Sequence, residues 1–171
     1  MIVFDVDGVL TDGTLRIDAD GRESKSFHLQ DGFAMVRAQR AGLAVGVLSG
    51  RADEATRFRM ERLGVPHVIR GSKDKGADLV ALAERAGVAL EHVAFVGDDV
   101  LDLPAMARCG LSLCPADAVA DVRARVDRVL ERPGGRGAAR EAIELVLRAQ
   151  GKWAAIVDAV EGGGEAAPPV Q

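Results

Sequence analysis

The sequence is short of several things, and each shortage closes off a class of protein. Only two cysteines, Cys109 and Cys114, occur in 171 residues. They lie in the apolar stretch CGLSLC and read as buried free thiols rather than a disulfide or metal pair. No apolar run is long enough to span a bilayer, and no basic stretch precedes Ile2-Val3-Phe4 as it would in a signal peptide. The expected location is cytoplasmic, with no membrane partner. An excess of positive charge is also missing, since 22 Lys and Arg are outnumbered by 26 Asp and Glu for a formal net charge of -4. A phosphate-backbone binder normally carries clustered Lys and Arg, so no nucleic-acid partner is expected. What is present, 48% hydrophobic and 28% charged residues, describes one ordinary globular domain able to bury a substantial core.

Short apolar segments at residues 2–6, 43–48, 68–69, 92–96 and 111–113 read as strands, with a last short one at 128–130. Their continuous apolar character fits strands buried on both faces, as in a parallel sheet. Leu79, Leu82, Ala83 and Ala86 follow the spacing of one helical face, and so do Ala139, Ala142, Ile143, Val146 and Leu147. Strand and helix alternate, which predicts an open α/β sheet. One segment breaks the rhythm. Residues 14–18 and 24–29 flank Asp18-Ala19-Asp20-Gly21 and predict a β-hairpin directly after the first strand. The D-x-D-G within it lacks the other ligands of a calcium loop and reads as a turn. There is no internal repeat. The domain is expected over residues 1–153, with 154–171 a C-terminal tail, disordered beyond 162.

The chemistry starts at Asp5-Val6-Asp7-Gly8, straight after the first strand. Open α/β sheets bind ligands at the carboxyl ends of their strands, so both acids emerge at that edge. Carboxylates this close call for a counter-cation, and hard Mg²⁺ with oxygen ligands suits them. Asp5 can attack phosphorus while Asp7 protonates the leaving group and then activates water. Taken alone, the pair equally fits a strand end with solvated acids. Gly97-Asp98-Asp99-Val100-Leu101-Asp102 follows another apolar strand and brings more carboxylates to the same edge. Asp98 is read as a metal ligand, Asp99 as a second ligand or an orienting residue, and Asp102 as more structural, a helix N-cap ahead of Leu103-Pro104. Ser49-Gly50-Arg51 ends a third strand, where a hydroxyl, backbone N–H groups and a guanidinium suit a phosphate. Two of the four lysines, Lys73 and Lys75, fall in the loop Gly71 to Gly76. Lys75 lies nearer the next helix and is the catalytic choice.

These four elements in this order resemble the haloacid dehalogenase superfamily of phosphatases. Within it, the chain is most similar to the small capless 3-deoxy-D-manno-octulosonate 8-phosphate phosphatases. The likeness runs over roughly residues 1 to 153 and rests on FDVDGVLTDG, Phe27, Asp31-Gly32, Ser49-Gly50-Arg51, Lys75, GDDxxDLP and GGRGAAREAIELVLRAQGKW. It implies a Rossmann-like, three-layer, mostly parallel α/β fold with a protruding hairpin at about 14–29 and no cap domain. Asp5 would be nucleophile and metal ligand; Asp7 would be acid/base, with its carbonyl on Mg²⁺; Asp98 would be a further ligand. Ser49 and Lys75 would hold the phosphate of a small sugar acid. Further substrate contacts would come from His28, Leu29, Gln30, Asp31 and Gly32, and from Arg51 and Arg59. The resemblance also implies a homotetramer whose hairpin helps cover a neighbour's active site. Gly134 to Gly137 would be either a C-terminal gate or a helix-start loop.

Two positions depart from the pattern. Gln30 and Val36 stand where these phosphatases commonly carry arginines, in the region expected to meet the sugar carboxylate. A phosphatase for a nine-carbon nonulosonate 9-phosphate is therefore a second reading. A non-catalytic relative or a receiver domain is a third, although receivers lack an acid at the position of Asp7.

Overall fold

The computed structural model describes residues 1–163. Its centre is a six-stranded sheet of β1 (Ile2–Phe4), β4 (Val45–Ser49), β5 (His67–Arg70), β6 (Ala94–Val96), β7 (Leu111–Cys114) and β8 (Arg128–Val129). The spatial order is β5-β4-β1-β6-β7-β8, and every pairing is parallel. The chain builds outward from β1 on one side through β4 and β5, then returns to lay β6, β7 and β8 on the other. β1 is thus the switch point of the sheet, where ligand crevices open at the strands' carboxyl ends.

Alternate residues of β1 feed the two faces. Ile2 and Phe4 join one apolar cluster with Val45, Val47 and Val96, while Val3 joins another with Leu48 and Phe95. The first cluster is closed by α1 (Leu29–Arg40), α2 (Glu54–Arg62) and α6 (Ala138–Ala149). The second is closed by α3 (Lys75–Ala86), α4 (Leu103–Met106) and α5 (Ala120–Arg123). The result is the expected three-layer α/β architecture, and no second domain caps the strand ends among the described residues. The predicted helical faces are the buried ones: Leu79, Leu82 and Ala83 in α3, and Ala139, Ala142, Ile143 and Leu147 in α6.

The hairpin is present but smaller than its pattern suggests. β2 (Arg16–Ile17) and β3 (Glu23–Ser24) pair over two residues each. The Asp18 carboxylate accepts from the Asp20 and Arg22 N–H groups, so D-x-D-G is a turn. Leu29, expected at the end of the second strand, opens α1 instead.

A correction applies at the C-terminus. Residues 154–161, expected to begin a tail, belong to helix α7 (Trp153–Glu161). Its run of Ala, Ile and Val favours a helix once one face has something to cover. Trp153 and Ile156 provide that contact by packing on the α1/α6 side of the core. The expectation of disorder for 164–171 lies outside the described residues. Cys114 is buried as expected, whereas Cys109 is only half-buried; both are free.

Trp153→Ala should cost about 3–5 kcal/mol if α7 is part of the cooperative unit, as for a buried aromatic. The urea midpoint measures it, and an unchanged midpoint would return this helix to the status of an appendage.

Candidate active site

Four strand ends converge on one cleft of about 290 Å³, lined by Asp5, Asp7, Gly13, Gly50, Arg51, Lys75, Asp98, Asp99, Leu101 and Asp102. Asp5 extends β1 by one residue, its N–H donating to the Val96 carbonyl at 2.9 Å. That bond sets its carboxylate beside the Gly97-Asp98 turn after β6. Gly8 then turns the chain away with φ +85°, and a Cβ there would collide with the Asp98 carboxylate. A Cβ at Gly97 would likewise strike the side chain of Asp102. Both glycines make room for acids.

Lys75, the first residue of α3, is the cation among them. Its Nζ lies 2.9 Å from Asp5 Oδ1 and 2.5 Å from Asp102 Oδ1. Burial works to lower its pKa, but the two carboxylates outweigh that and raise it, so the ammonium stays charged. The partner α3 needs at its start comes from Asp74, which accepts from the Ala77 N–H.

Asp102 corrects the sequence reading. It makes no side-chain cap to α4 and is wholly buried. One oxygen takes Lys75, and the other accepts the N–H groups of Asp98 (2.9 Å) and Asp99 (3.2 Å). It therefore holds the loop that presents Asp98. Asp99 is exposed, and its carboxylate accepts from the Val100 N–H at 2.6 Å, which is a local capping role.

Among the described residues, Asp5, Asp98 and Asp102 form the acidic group able to hold a cation, with ligand oxygens all within 4.8 Å of one another. Asp98 Oδ1 is buried and makes no hydrogen bond. Burial, then the charges of Asp5 and Asp102, push Asp98 up to about 7. Burial, then Asp102, raises Asp5 to about 7 against the pull of Lys75. Hard oxygen donors, one of them orphaned, with charge in excess of the available ammonium, fit a hard divalent cation.

Ser49 ends β4 fully buried, its Oγ accepting the Arg51 N–H at 3.1 Å. Arg51 reaches back to the hairpin, where Nη2 meets Glu23 Oε2 at 2.6 Å. Both side chains are well exposed, so the pair is weak and the guanidinium can be recruited elsewhere. The Gly134 to Gly137 segment packs tightly under the loop that follows β1. Gly135 N–H donates to the Val9 carbonyl at 2.9 Å, and a Cβ at Gly134 would overlap the Gly8 carbonyl. It leads straight into α6, which is the helix-start alternative.

The second predicted group does not join this cleft within the chain. His28, Asp31, Gly32 and Arg59 line a separate void of about 10 Å³ with Phe27 and Leu10. Asp31 is buried, and its Oδ1 accepts the Arg140 N–H at 2.7 Å, tying α1 to the first turn of α6. Gly32 lets the Arg59 guanidinium lie against its backbone. Leu29 is exposed, and Gln30 lines a groove with Arg128, Arg132, Arg140 and Arg148. Val36, expected to face the substrate, packs against the core. One residue was missed altogether: Lys25, whose Nζ lies 2.7 Å from both Asp7 Oδ1 and Asp53 Oδ2. Its scarcity as a lysine was the only signal in the sequence, and hairpin lysines are ordinarily solvated.

Comparison with known proteins agrees with this geometry. Residues 33–110 match the model of the haloacid dehalogenase-like hydrolases. The 3-deoxy-D-manno-octulosonate 8-phosphate phosphatase of Haemophilus influenzae is 44% identical over 161 residues, spanning 94% of this chain and 89% of the relative. Its cobalt-bound structure superposes with a TM-score of 0.86 at 45% identity, covering 88% of each chain. The Moraxella catarrhalis phosphatase of the same name, solved with magnesium, phosphate and a KDO molecule, gives a TM-score of 0.90 at 34% identity, covering 93% of this chain and 91% of that one. With identity, coverage and fold in agreement, the chain belongs to the 3-deoxy-D-manno-octulosonate 8-phosphate phosphatase family of haloacid dehalogenase-like hydrolases.

Proposed function

We propose that the protein is a magnesium-dependent phosphatase that hydrolyses 3-deoxy-D-manno-octulosonate 8-phosphate, a small phosphorylated sugar acid, through an aspartyl-phosphate on Asp5. The observation that carries this is Asp5 itself: a buried carboxylate at the switch point of the sheet, held by Lys75, with a second acid two residues on. Asp5 and Asp98 would hold the magnesium, with the Asp7 carbonyl completing the protein's share, while Asp102 keeps Lys75 and the Asp98 loop in place. When bound, the ion offsets the carboxylates and the phosphate oxygens. Lys75 and the Ser49-Gly50-Arg51 turn bind and orient the phosphate, and Arg51 is free to meet the sugar carboxylate. Asp7 gives a proton to the leaving oxygen and later takes one from water.

Val36 does not favour the nine-carbon reading, since it packs against the core and does not line the cleft. A non-catalytic relative has no use for Asp7 at the cleft. His28, Leu29, Gln30, Asp31, Gly32 and Arg59 lie outside this chain's own cleft; the exposed Leu29 and Gln30 would meet substrate across a subunit interface, while buried Asp31 and Gly32 shape α1 beneath them. That reading suits a homotetramer in which the hairpin covers a neighbouring site. It is supported by Ile17 and Leu15 on the hairpin, which are 61% and 39% exposed. A two-stranded hairpin rarely holds itself together without something to pack on. No described helix is long and apolar enough to cross a membrane, and a cytoplasmic enzyme is our reading.

Phosphate release from a panel of sugar and sugar-acid phosphates tests the substrate. Asp5→Asn should lower turnover by at least about 10³-fold. Its metal-free melting temperature should not fall, because one of the crowded acids is gone. Retained turnover would end the covalent mechanism.

The raised carboxyls give a pH signature. Asp5 and Asp98 rise from 3.8 to about 7, so between those values the fold binds more protons than the unfolded chain. Their contribution to metal-free stability therefore drops as pH rises through that window. Cation binding needs both deprotonated, so the gain in melting temperature with Mg²⁺ should be larger at about pH 8 than at about pH 5.5. A gain independent of pH would remove these two acids from the metal site.

Solution mass by light scattering, with activity followed on dilution, tests the assembly. Specific activity should drop as the tetramer dissociates, and a fully active monomer would sink the shared-site reading.

A further inference from the structure

Lys25 is the residue whose burial has no place in the chemistry so far. It projects from the base of the hairpin, just after β3, yet its side chain is 1% exposed. Lysine is almost never buried without a charged partner. Here it has two. Its Nζ lies 2.7 Å from Asp7 Oδ1 and 2.9 Å from Asp7 Oδ2, and 2.7 Å from Asp53 Oδ2. Asp53 is itself anchored as the N-cap of α2. Its Oδ1 accepts the Thr56 N–H at 2.8 Å and its Oδ2 accepts the Thr56 hydroxyl at 2.9 Å. Burial opposes ionisation of Asp53, but the bonds from Lys25 and Thr56 outweigh it and hold its carboxyl below the usual range.

A continuous chain of charge-assisted bonds therefore runs from the first turn of α2 through Asp53 and Lys25 to Asp7. The ammonium lies behind Asp7, since Asp7 lines the cleft and Lys25 does not. Without it the Asp7 carboxyl, at the start of a turn made by Gly8, would be free to rotate about two side-chain bonds. The three donors of an ammonium suit this task, because they can engage both Asp7 oxygens and Asp53 together.

We propose that Lys25 is a positioning residue for acid/base transfer by Asp7, and that through it the hairpin sets how well that transfer works. The proposal rests on the phosphatase reading above. In the first half-reaction the Asp5 carboxylate oxygen bonds to phosphorus and the phosphorus–oxygen bond to the sugar breaks. Its electron pair stays on the leaving oxygen, which takes the Asp7 carboxyl proton. In the second, a water oxygen bonds to phosphorus and gives a proton to the Asp7 carboxylate. The Asp5–phosphorus bond breaks, and its pair returns to Asp5. Both transfers need the Asp7 carboxyl held toward the cleft, and Lys25 holds it there without touching substrate.

Leaving groups separate this role from simple anchoring of the hairpin. Departure of a sugar alkoxide needs the Asp7 proton, whereas p-nitrophenolate leaves with little help. The measured quantity is kcat/KM, which reports the first half-reaction, for 3-deoxy-D-manno-octulosonate 8-phosphate and for p-nitrophenyl phosphate. Lys25→Met should lower the sugar-to-aryl ratio by about 10-fold or more, part of the roughly 10²–10⁴-fold that a positioned acid supplies. Lys25→Arg, which keeps the charge, should recover part of that ratio. The ratio is independent of the fraction of enzyme folded. A Lys25→Met variant that loses both activities equally would overturn the proposal and leave Lys25 as a hairpin anchor. Wild-type enzyme with no activity on either ester would instead refute the phosphatase reading, with Asp7→Asn as control for the pattern expected when the acid itself is lost.

Discussion

Like charges forced together in a low-dielectric place are the constraint on which the rest of this structure depends. Asp5, Asp98 and Asp102 converge at the carboxyl ends of β1 and β6, and the protein supplies one buried ammonium, Lys75, between two of them. Removing water from carboxylates is costly unless cations and hydrogen bonds replace it. The replacement here is partial. Asp102 is fully satisfied by Lys75 and two backbone N–H groups, Asp5 shares Lys75, and Asp98 keeps one oxygen without a partner. Two carboxyls are in consequence driven up to about 7. A fold that keeps such a deficit is poised for a divalent cation, which offsets the negative charge that folding has left unpaired.

Bringing the acids so close requires backbone with no side chain in the way. Gly8 and Gly97 serve that purpose directly, each leaving the space that an aspartate side chain fills. Gly134 and Gly135 serve it at one remove by letting the segment before α6 lie against the loop that carries Asp5 and Asp7. Asp31 then joins the other end of that arrangement, holding the first turn of α6 to α1. The loop carrying Asp5 and Asp7 is thus braced from beneath by elements far along the chain.

Much of this was legible from residue types and their order. The apolar strands, the helical faces in α3 and α6, and the acids after β1 and β6 follow from periodicity and from the rule that strand ends carry sites. Lys75 was legible because lysine is rare here and its loop follows a strand. Other features were not. Asp102 looks like a helix cap from its neighbours Leu103 and Pro104, yet a buried ammonium from α3 claims it. The run after Trp153 looks like tail because helix propensity alone is weak. Contact of Trp153 and Ile156 with the core is what makes it an element. Val36 and Gln30 sit in a segment that reads as substrate-facing, but a helix turns each residue by about a quarter-circle or more. Neighbours in sequence therefore end up on different surfaces.

The sequence by itself determined where the chemistry lies: which strand ends carry carboxylates, which strand-end loop carries a lysine, and that the sheet is parallel. Those features depend on hydrophobic periodicity and on the alternation of strand and helix, both of which can be read along the chain. Only the tertiary structure decided which charges pair. Lys25 is linked to Asp7 and Asp53, Lys75 to Asp5 and Asp102, and Arg51 to Glu23, by contacts spanning 18 to 70 residues of sequence. Partner choice among buried charges depends on distance and desolvation, and neither exists until the layers have packed.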